Sequence, residues 1–291
     1  TNSGTDALYF ALRAFDIGPG DEVITTPMTF IATANTIIQA GAKPVFVDVG
    51  DDLNINPNLI ENEITNRTKA IMPVHLTGRI AEMSKIINIG KKYNIPIIED
   101  AAQSIGSLYK NKAAGSFGIV GCFSAHPLKN LNAIGDAGYL TTDNNRIYKA
   151  ILDLRNHGMT NGNKVKQFGY VSRMDNLQAA ILNYRLTKLN KVIAIRRKNV
   201  ENYKKYLDQK NVFIPKEEKY QFNSYHTFVV QVDKRNQLKE FLLKNGIITA
   251  IHYPIPIHLQ PAARFLGYKK SSFKVVENQA KRILSLPINQ Y

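Results

Sequence analysis

The segment Gly121-Cys-Phe-Ser-Ala-His-Pro-Leu-Lys-Asn130 starts as an apolar strand, breaks at Pro127 and presents one lysine, Lys129, just before the small-residue turn Gly135-Asp-Ala-Gly138. Lysine is common in this chain, and an isolated one is ordinarily a solvated surface residue. A lysine handed from a buried strand to a glycine-bearing turn is badly placed for that role. Upstream, a second strand, Ile95-Pro-Ile-Ile-Glu-Asp100, delivers a carboxylate at its C-terminal end and continues into Ala101-Ala-Gln103-Ser104. At the start of the chain, Ser3-Gly4-Thr5-Asp6-Ala7-Leu8 reads as the opening of a helix.

Around these segments the first half alternates strand and helix. Leu8, Ala11, Leu12 and Phe15 share one face of a helix that stops at Gly18-Pro-Gly20. Strands are expected over Glu22–Thr26, Lys43–Val49, Lys69–Val74 and Ile95–Glu99. Helices are expected over Ile31–Ala40, Pro57–Ile64 and Ala81–Tyr93. Short, continuously apolar strands separated by helices imply an α/β fold, with a mainly parallel sheet covered by helices on both faces. Ligands of such sheets bind beyond the carboxyl ends of the strands, where Thr26-Pro27, His75, Asp100 and the Ser124–Lys129 loop fall. Met174–Leu207 then reads as one long helix, with Leu177, Ala180, Ile181, Tyr184, Leu186 and Leu189 as its apolar face. The remainder reads as a smaller α+β unit, with strands at Val212–Pro215, Tyr225–Val232 and Ile247–Ile251 and helices at Gln237–Asn245 and Phe273–Leu284. Two domains are expected, 1–185 and 186–291. The chain opens on a helix with no strand before it and closes on Leu286-Pro-Ile-Asn-Gln-Tyr291, which reads as a connection. A longer protein is therefore expected to continue at both ends.

The chain has 291 residues, 44% hydrophobic content and a formal net charge of +15. That charge suits an anionic partner, and nucleic acid is one reading of it. The lysines and arginines are spread along the chain, however, without an RRM, zinc-finger or basic-zipper pattern, so no nucleic-acid partner is expected. No apolar run is long enough to span a bilayer and no signal-peptide pattern opens the chain, so no membrane association is expected and a cytoplasmic location is the default. The single cysteine, Cys122, lies in an apolar strand and reads as a small core residue. Phosphate-loop, dinucleotide, zinc-protease and nucleophile-elbow motifs are absent, and no metal is expected.

The chemistry rests on what three residue types can hold. A helix N-terminus such as Ser3-Gly4-Thr5 can bind a phosphate, although the same residues also make a plain cap. Asp100 can pair with a protonated ring nitrogen, or can cap a helix that follows it. A desolvated Lys129 can form a Schiff base with an aldehyde and, when free, can carry a proton between two carbons. Phosphate, ring nitrogen and aldehyde together are the handles of pyridoxal 5′-phosphate (PLP). Gln103 would then lie within reach of the ring hydroxyl, Ser124 of the phosphate and Phe30 of the ring face.

These motifs, with Pro27-Met-Thr-Phe-Ile-Ala-Thr33, Pro73-Val-His-Leu-Thr-Gly78, Glu99-Asp-Ala-Ala-Gln103, Arg155-Asn-His-Gly158, Gly169-Tyr-Val-Ser-Arg-Met174 and Tyr253-Pro-Ile-Pro-Ile-His258, run in one order over nearly the whole chain. In that order the chain resembles the DegT/DnrJ/EryC1/StrS sugar aminotransferases. The resemblance implies a fold type I, aspartate aminotransferase-like PLP-dependent transferase, a homodimer with active sites at the subunit interface. Its reaction would move an amino group from glutamate to a keto group of a nucleotide-linked sugar. By resemblance Lys129 carries the cofactor and Asp100 holds its ring nitrogen. Gly4, Thr5 and Ser124 hold its phosphate, Gln103 its ring oxygen and Phe30 its face. Some relatives are dehydratases with histidine in place of this lysine, and Lys129 points to amino transfer instead. His126, Tyr253 and His258 are assigned to the sugar side by position.

Two residues depart from the family pattern. Val171 stands where an asparagine often reaches the partner subunit's phosphate, and Thr77-Gly78 stands where Tyr-Gly is usual. A cyclitol ketone or free keto sugar as acceptor, and a non-catalytic binding or regulatory protein on the same fold, are the alternatives.

Overall fold

The computed structural model describes residues 1–160 and 164–290. Its organising element is a sheet built from β1 (Glu22–Thr25), β2 (Lys43–Phe46), β3 (Thr68–Ile71), β4 (Ile98–Asp100), β7 (Val120–Ser124) and β8 (Gly138–Thr141). The order β2-β1-β3 is parallel throughout. Parallel bridges Ile71–Ile97 and Val74–Asp100 carry it on to β4, which pairs parallel with β7. Only β8 runs antiparallel, beside β7, with Ser124 opposite Gly138.

Successive strand residues face opposite sides of a sheet, and the two helical layers use that alternation. Val23, Ala70, Ile98, Val120 and Cys122 face α1 (Gly4–Ala14), α2 (Ala32–Gln39) and α4 (Asn145–Leu154). Ile24, Val45, Ile71 and Phe123 face the other way, onto Met83, Ile86 and Ile89 of α3 (Met83–Tyr93). Cys122 is sealed under α1, its thiol directed at the Ala7 carbonyl at 3.6 Å, and burial raises its pKa well above the usual value.

Several boundaries differ from the sequence expectation. The span Pro57–Ile64 forms two short 3-10 turns, Pro57–Leu59 and Glu61–Glu63. Met174–Leu207 is divided into α5 (Asn176–Leu186) and α6 (Leu189–Tyr206), because the chain leaves helical pairing at Thr187 and Lys188. Much of the supposed apolar face is uncovered: Leu177 is 64% exposed and Tyr184 67%. Phe273–Leu284 is also two elements, α8 (Lys274–Arg282) and then β11 (Ile283–Leu286). β11 pairs antiparallel with β10 (Phe228–Gln231), and Val212–Pro215 and Ile247–Ile251 supply only the single bridges Phe213–Gln231 and Ala250–Ser285. Ile283-Leu-Ser-Leu286 is too short a run at the end of an amphipathic helix to show a period of its own, which is why β11 is missed. Of the closing segment, Tyr291 lies outside the described residues.

α6, α7 (Arg235–Lys244) and α8 pack on the two-stranded β10–β11 sheet. A small three-stranded sheet ties the two halves together, with β5 (Leu108–Tyr109) between β6 (Lys112–Ala113) and β9 (Gln221–Phe222). Among the described residues no helix is long and apolar enough to cross a membrane.

Ile24 is fully buried at the centre of the α3-side core. Ile24→Ala is expected to lower unfolding free energy by about 3 kcal/mol, from lost transfer energy plus the cavity it leaves. Denaturant unfolding monitored by circular dichroism would measure this. A loss under 1 kcal/mol would mean that the sheet is not packed as described.

Candidate active site

The site forms where the carboxyl ends of the strands meet the head of α1. α1 begins at Gly4, capped by Ser3, whose hydroxyl accepts the Asp6 N–H at 3.1 Å. Asp6 therefore has a partner, whereas the N–H groups of Gly4 and Thr5 have no intrahelical acceptor and face outward with the positive end of the helix dipole. The head is wedged tightly. A Cβ on Gly4 would lie 2.6 Å from the Ser124 Cβ, and one on Gly138 would lie 2.2 Å from the Ser3 carbonyl oxygen. Thr1 also pairs with Gly138, its amino group donating to Gly138 O at 2.9 Å while Gly138 N–H donates to Thr1 O at 3.1 Å. The Ser-Gly-Thr and Gly-Asp-Ala-Gly motifs thus form one contact.

Asp100 ends β4 and is 4% exposed. No helix follows it. Its Oδ1 closes a tight turn by accepting the Ala102 N–H at 3.1 Å, and its Oδ2 accepts the Thr33 hydroxyl at 2.7 Å. Thr33 Oγ1 lies 2.9 Å from Thr29 Oγ1, so two threonines four residues apart steady the carboxylate from the start of α2. Burial pushes the Asp100 pKa up, opposed by these hydrogen bonds and by the Lys129 charge. Among the described residues it has no ion-pair partner, which leaves a buried carboxylate suited to a cationic ligand atom.

The neighbouring Glu99 points to the opposite face and is fully satisfied. It receives the N–H groups of Gly115, Phe117 and Gly118 and lies 2.8 Å from His75 Nε2. Ala81 N–H donates to His75 Nδ1 at 3.3 Å, which puts the proton on Nε2, toward Glu99. The His75 N–H also donates to the Asp100 carbonyl, so this fully buried pair fixes the end of β4 from beneath.

A cleft of about 390 Å³ opens over Asp100, lined by Gly4, Thr5, Phe30, Gln103, Ser124, His126, Lys129 and Tyr253 among others. The structure therefore brings together every candidate residue except His258. That histidine is 2% exposed in the turn Ile257–Leu259. Its Nε2 lies 3.0 Å from Glu277 and its ring stands edge-on to Phe273 at 4.8 Å, a packing role outside the cleft. His126 sits exposed at the rim, its Nδ1 accepting the Leu128 N–H. Gln103 is carried by a turn. Its Oε1 accepts the Thr77 N–H at 2.8 Å and its Nε2 donates to the Tyr253 hydroxyl at 3.3 Å. Thr77 adopts φ +62°, a left-handed conformation that turns its N–H toward Gln103, and its side chain stays out of the cleft. Val171 lies outside the cleft and is 52% exposed beside the start of α1, where its carbonyl accepts Asn2 Nδ2–H.

Sequence reasoning missed Thr29, Thr33, His226, Thr227 and His252, all of which line the cleft. The i,i+4 spacing of the threonines was a usable signal. The segment Ser224-Tyr-His-Thr227 gave none, because a distant part of the chain brings it in.

Lys129 is half-buried opposite Asp100. Burial lowers its pKa below the ordinary 10.5, and the Asp100 charge only partly restores it. Lys129 is therefore deprotonated at lower pH than a surface lysine, which makes it the better nucleophile. Borohydride trapping of an aromatic aldehyde on Lys129 is expected to rise with pH and level off below pH 10.5, followed by mass spectrometry residue by residue. A profile on Lys129 that matches the exposed lysines would contradict the desolvation.

Comparison with known proteins gives the family. A "Pleiotropic regulatory protein" of Geobacillus stearothermophilus is 42% identical over 290 residues, 98% of this chain and 78% of that protein. A UDP-N-acetyl-3-dehydro-alpha-D-glucosamine 3-aminotransferase of Acidithiobacillus ferrooxidans is also 42% identical, over 98% of this chain and 77% of its own length. The crystal structure of S. venezuelae DesV in complex with a ketimine intermediate superposes with a TM-score of 0.96 at 36% identity, over all of this chain and 79% of that one. The family model of the DegT/DnrJ/EryC1/StrS aminotransferases matches residues 1–291, and the chain belongs to that family of fold type I, PLP-dependent sugar aminotransferases.

Proposed function

We propose that this chain moves an amino group from glutamate to the keto group of a nucleotide-linked sugar, with Lys129 as the reactive amine. The observation that carries this reading is the buried Asp100 carboxylate, without an ion-pair partner among the described residues, under a cleft that also holds Lys129. The residues fit the cofactor. The Gly4–Ser124 contact leaves no room for a side chain at the α1 head, so backbone N–H groups meet the phosphate directly. Asp100 matches a protonated pyridine nitrogen, whose charge offsets the cost of burying the carboxylate.

When bound, PLP supplies an electron sink for the charge left on a substrate carbon that loses its proton. Asp100 would hold the proton on the ring nitrogen, its two oxygens kept aimed by Thr33 and Ala102. Gln103 would offer its amide to the ring oxygen, Phe30 its side chain to the ring, and Ser124 and Thr5 their hydroxyls to the phosphate. Lys129 Nζ would take the proton from the α-carbon of glutamate and give it back on the cofactor side, so that water releases 2-oxoglutarate and the amino nitrogen stays with the cofactor. In the second half Lys129 Nζ would return a proton to the sugar carbon that receives this nitrogen, the keto oxygen leaving as water, and His126 and Tyr253 would border the sugar's entry. The net charge of +15 favours the approach of a nucleotide diphosphate.

We further propose a homodimer. The Lys129 loop and α5 are joined by Ile134 N–H to Gln178 Oε1 and by Arg185 to the Asn132 and Ala133 carbonyls. Their outer surface exposes Leu128 (75%), Ile134 (58%), Leu177 and Tyr184. An apolar surface of this kind, continuous with the cleft, suits a second copy that completes the site.

Lys129→Ala is expected to abolish the glutamate-dependent change in the cofactor's absorption and to lower transamination of UDP- and dTDP-linked 3-keto sugars at least a thousandfold. Wild-type turnover by this variant would refute the reading. A regulatory role, the one carried by the name of the G. stearothermophilus relative, predicts instead bound cofactor that ignores glutamate. Preferred turnover of a cyclitol ketone would move the acceptor class. Leu177→Glu with Tyr184→Glu is expected to convert the dimer to monomer in sedimentation and to weaken cofactor retention at least tenfold, since charged groups at a buried contact remain unpaired. A dimer that survives both changes would place the interface elsewhere.

A further inference from the structure

The segment Ser224–Thr227 reaches the cleft from the far half of the chain and is held there at several points. Asn130, next to Lys129, donates Nδ2–H to the Ser224 carbonyl at 2.9 Å. Arg196 of α6 donates to the Tyr225 carbonyl at 3.1 Å and to the His226 carbonyl at 3.0 Å. From the turn Leu76–Gly78, Gly78 O accepts the Ser224 N–H at 3.1 Å and Thr77 O accepts the Thr227 N–H at 3.4 Å. Gly78 lies at φ +90°, and a Cβ there would be 2.7 Å from Tyr225 N and 2.8 Å from His226 N, so only glycine admits the approach. A segment pinned this firmly presents its side chains in fixed positions.

Two of those side chains line the cleft, and each carries one polar atom without a partner. His226 Nδ1 and Thr227 Oγ1 are both shielded from solvent and have no hydrogen-bond partner among the described residues. Adjacent buried polar atoms without partners are costly, and a folded protein keeps them where a ligand or water completes them. The environment decides which ligand. Burial first, then the charges of Lys129, Arg196, His252 and His126, hold His226 well below its usual pKa, so it is the neutral imidazole. A neutral imidazole and a threonine hydroxyl offer one donor and one acceptor each toward a partner of the same mixed character. An ammonium would meet repulsion from the surrounding positive charges. A hydroxyl group fits both.

We propose that His226 and Thr227 form a hydroxyl-recognition subsite that reads a ring hydroxyl of the acceptor sugar and so sets which sugars the enzyme accepts. This rests on the sugar aminotransferase reading above and adds to it the residues that discriminate among sugars. Glutamate has no hydroxyl, so the subsite acts on the acceptor half of the reaction.

The test uses the PLP-loaded protein with UDP- and dTDP-linked keto sugars and their analogues lacking one ring hydroxyl at a time. The wild type is expected to prefer one intact sugar over one of its deoxy analogues by about 10- to 100-fold in kcat/KM. Thr227→Val removes the hydroxyl at constant shape, and His226→Asn shortens the second partner. Each is expected to collapse that preference at least fivefold, chiefly through KM, whereas Thr227→Ser retains it. The glutamate half-reaction, followed by cofactor absorbance in single turnover, is expected to fall far less than the sugar half-reaction. Unchanged discrimination in Thr227→Val and His226→Asn, with ordered water as the only occupant of the two atoms, would overturn the subsite and leave the aminotransferase reading intact. Equal loss in both half-reactions would overturn it too, by revealing a general packing role. A wild type that turns over none of these sugars would sink the sugar reading and the subsite with it.

Discussion

The tight contact of Gly4 and Gly138 with their neighbours is the constraint on which the site depends. A helix can offer its bare N–H groups to an anion only if nothing fills the space before them. Here that space is kept by two residues without side chains, one at the head of α1 and one at the start of β8. The same contact fixes the distance from the α1 head to Asp100, because β7 lies between β8 and β4 in one sheet. The positions of the α1 head, Asp100 and Lys129 are therefore one geometric quantity. A shift of the α1 head would misplace all three together.

Electrostatics divides the cleft into two halves with different tasks. On the strand side the charge is negative and sunk, with Asp100 held by two neutral donors and Glu99 beneath it satisfied by backbone and His75. On the opposite side lie Lys129, His226 and His252, crowded enough that burial and mutual repulsion keep the two histidines neutral. Lys129 is thereby the group on that wall that exchanges protons in the alkaline range, while the imidazoles remain hydrogen-bonding groups. In the proposed reaction the Asp100 wall would hold a proton in place and the Lys129 wall would move one.

Much of this was legible in the sequence because it is local. The strand ends that carry Asp100 and Lys129, the cap at Ser3 and the glycines of the turns are short-range signals, and the parallel sheet follows from their alternation with helices. What stayed hidden depends on long-range contact. Thr33 looks like any helix residue until β4 is placed beside α2. His226 and Thr227 look like strand residues until Arg196, Asn130 and Gly78 pull their segment into the cleft. His258 misled for the reverse reason: its motif neighbours reach the cleft, but one turn further on the chain dives under α8, and Glu277 takes the imidazole. The break between α5 and α6 was hidden by good helix formers on both sides of Thr187, and of the apolar stripe drawn across it Leu177, Tyr184 and Leu186 face outward while Leu189 is buried.

Cys122 has a practical consequence. It is the chain's one thiol, covered by α1 and held mostly in its unreactive protonated form. Reagents that modify surface thiols will pass it by while the fold is intact. The protein thus comes ready for site-specific spectroscopy: a cysteine introduced on the surface, for example in place of the exposed Tyr206, would carry a fluorophore or spin label alone, and labelling of Cys122 itself would report when the α1 layer lifts from the sheet.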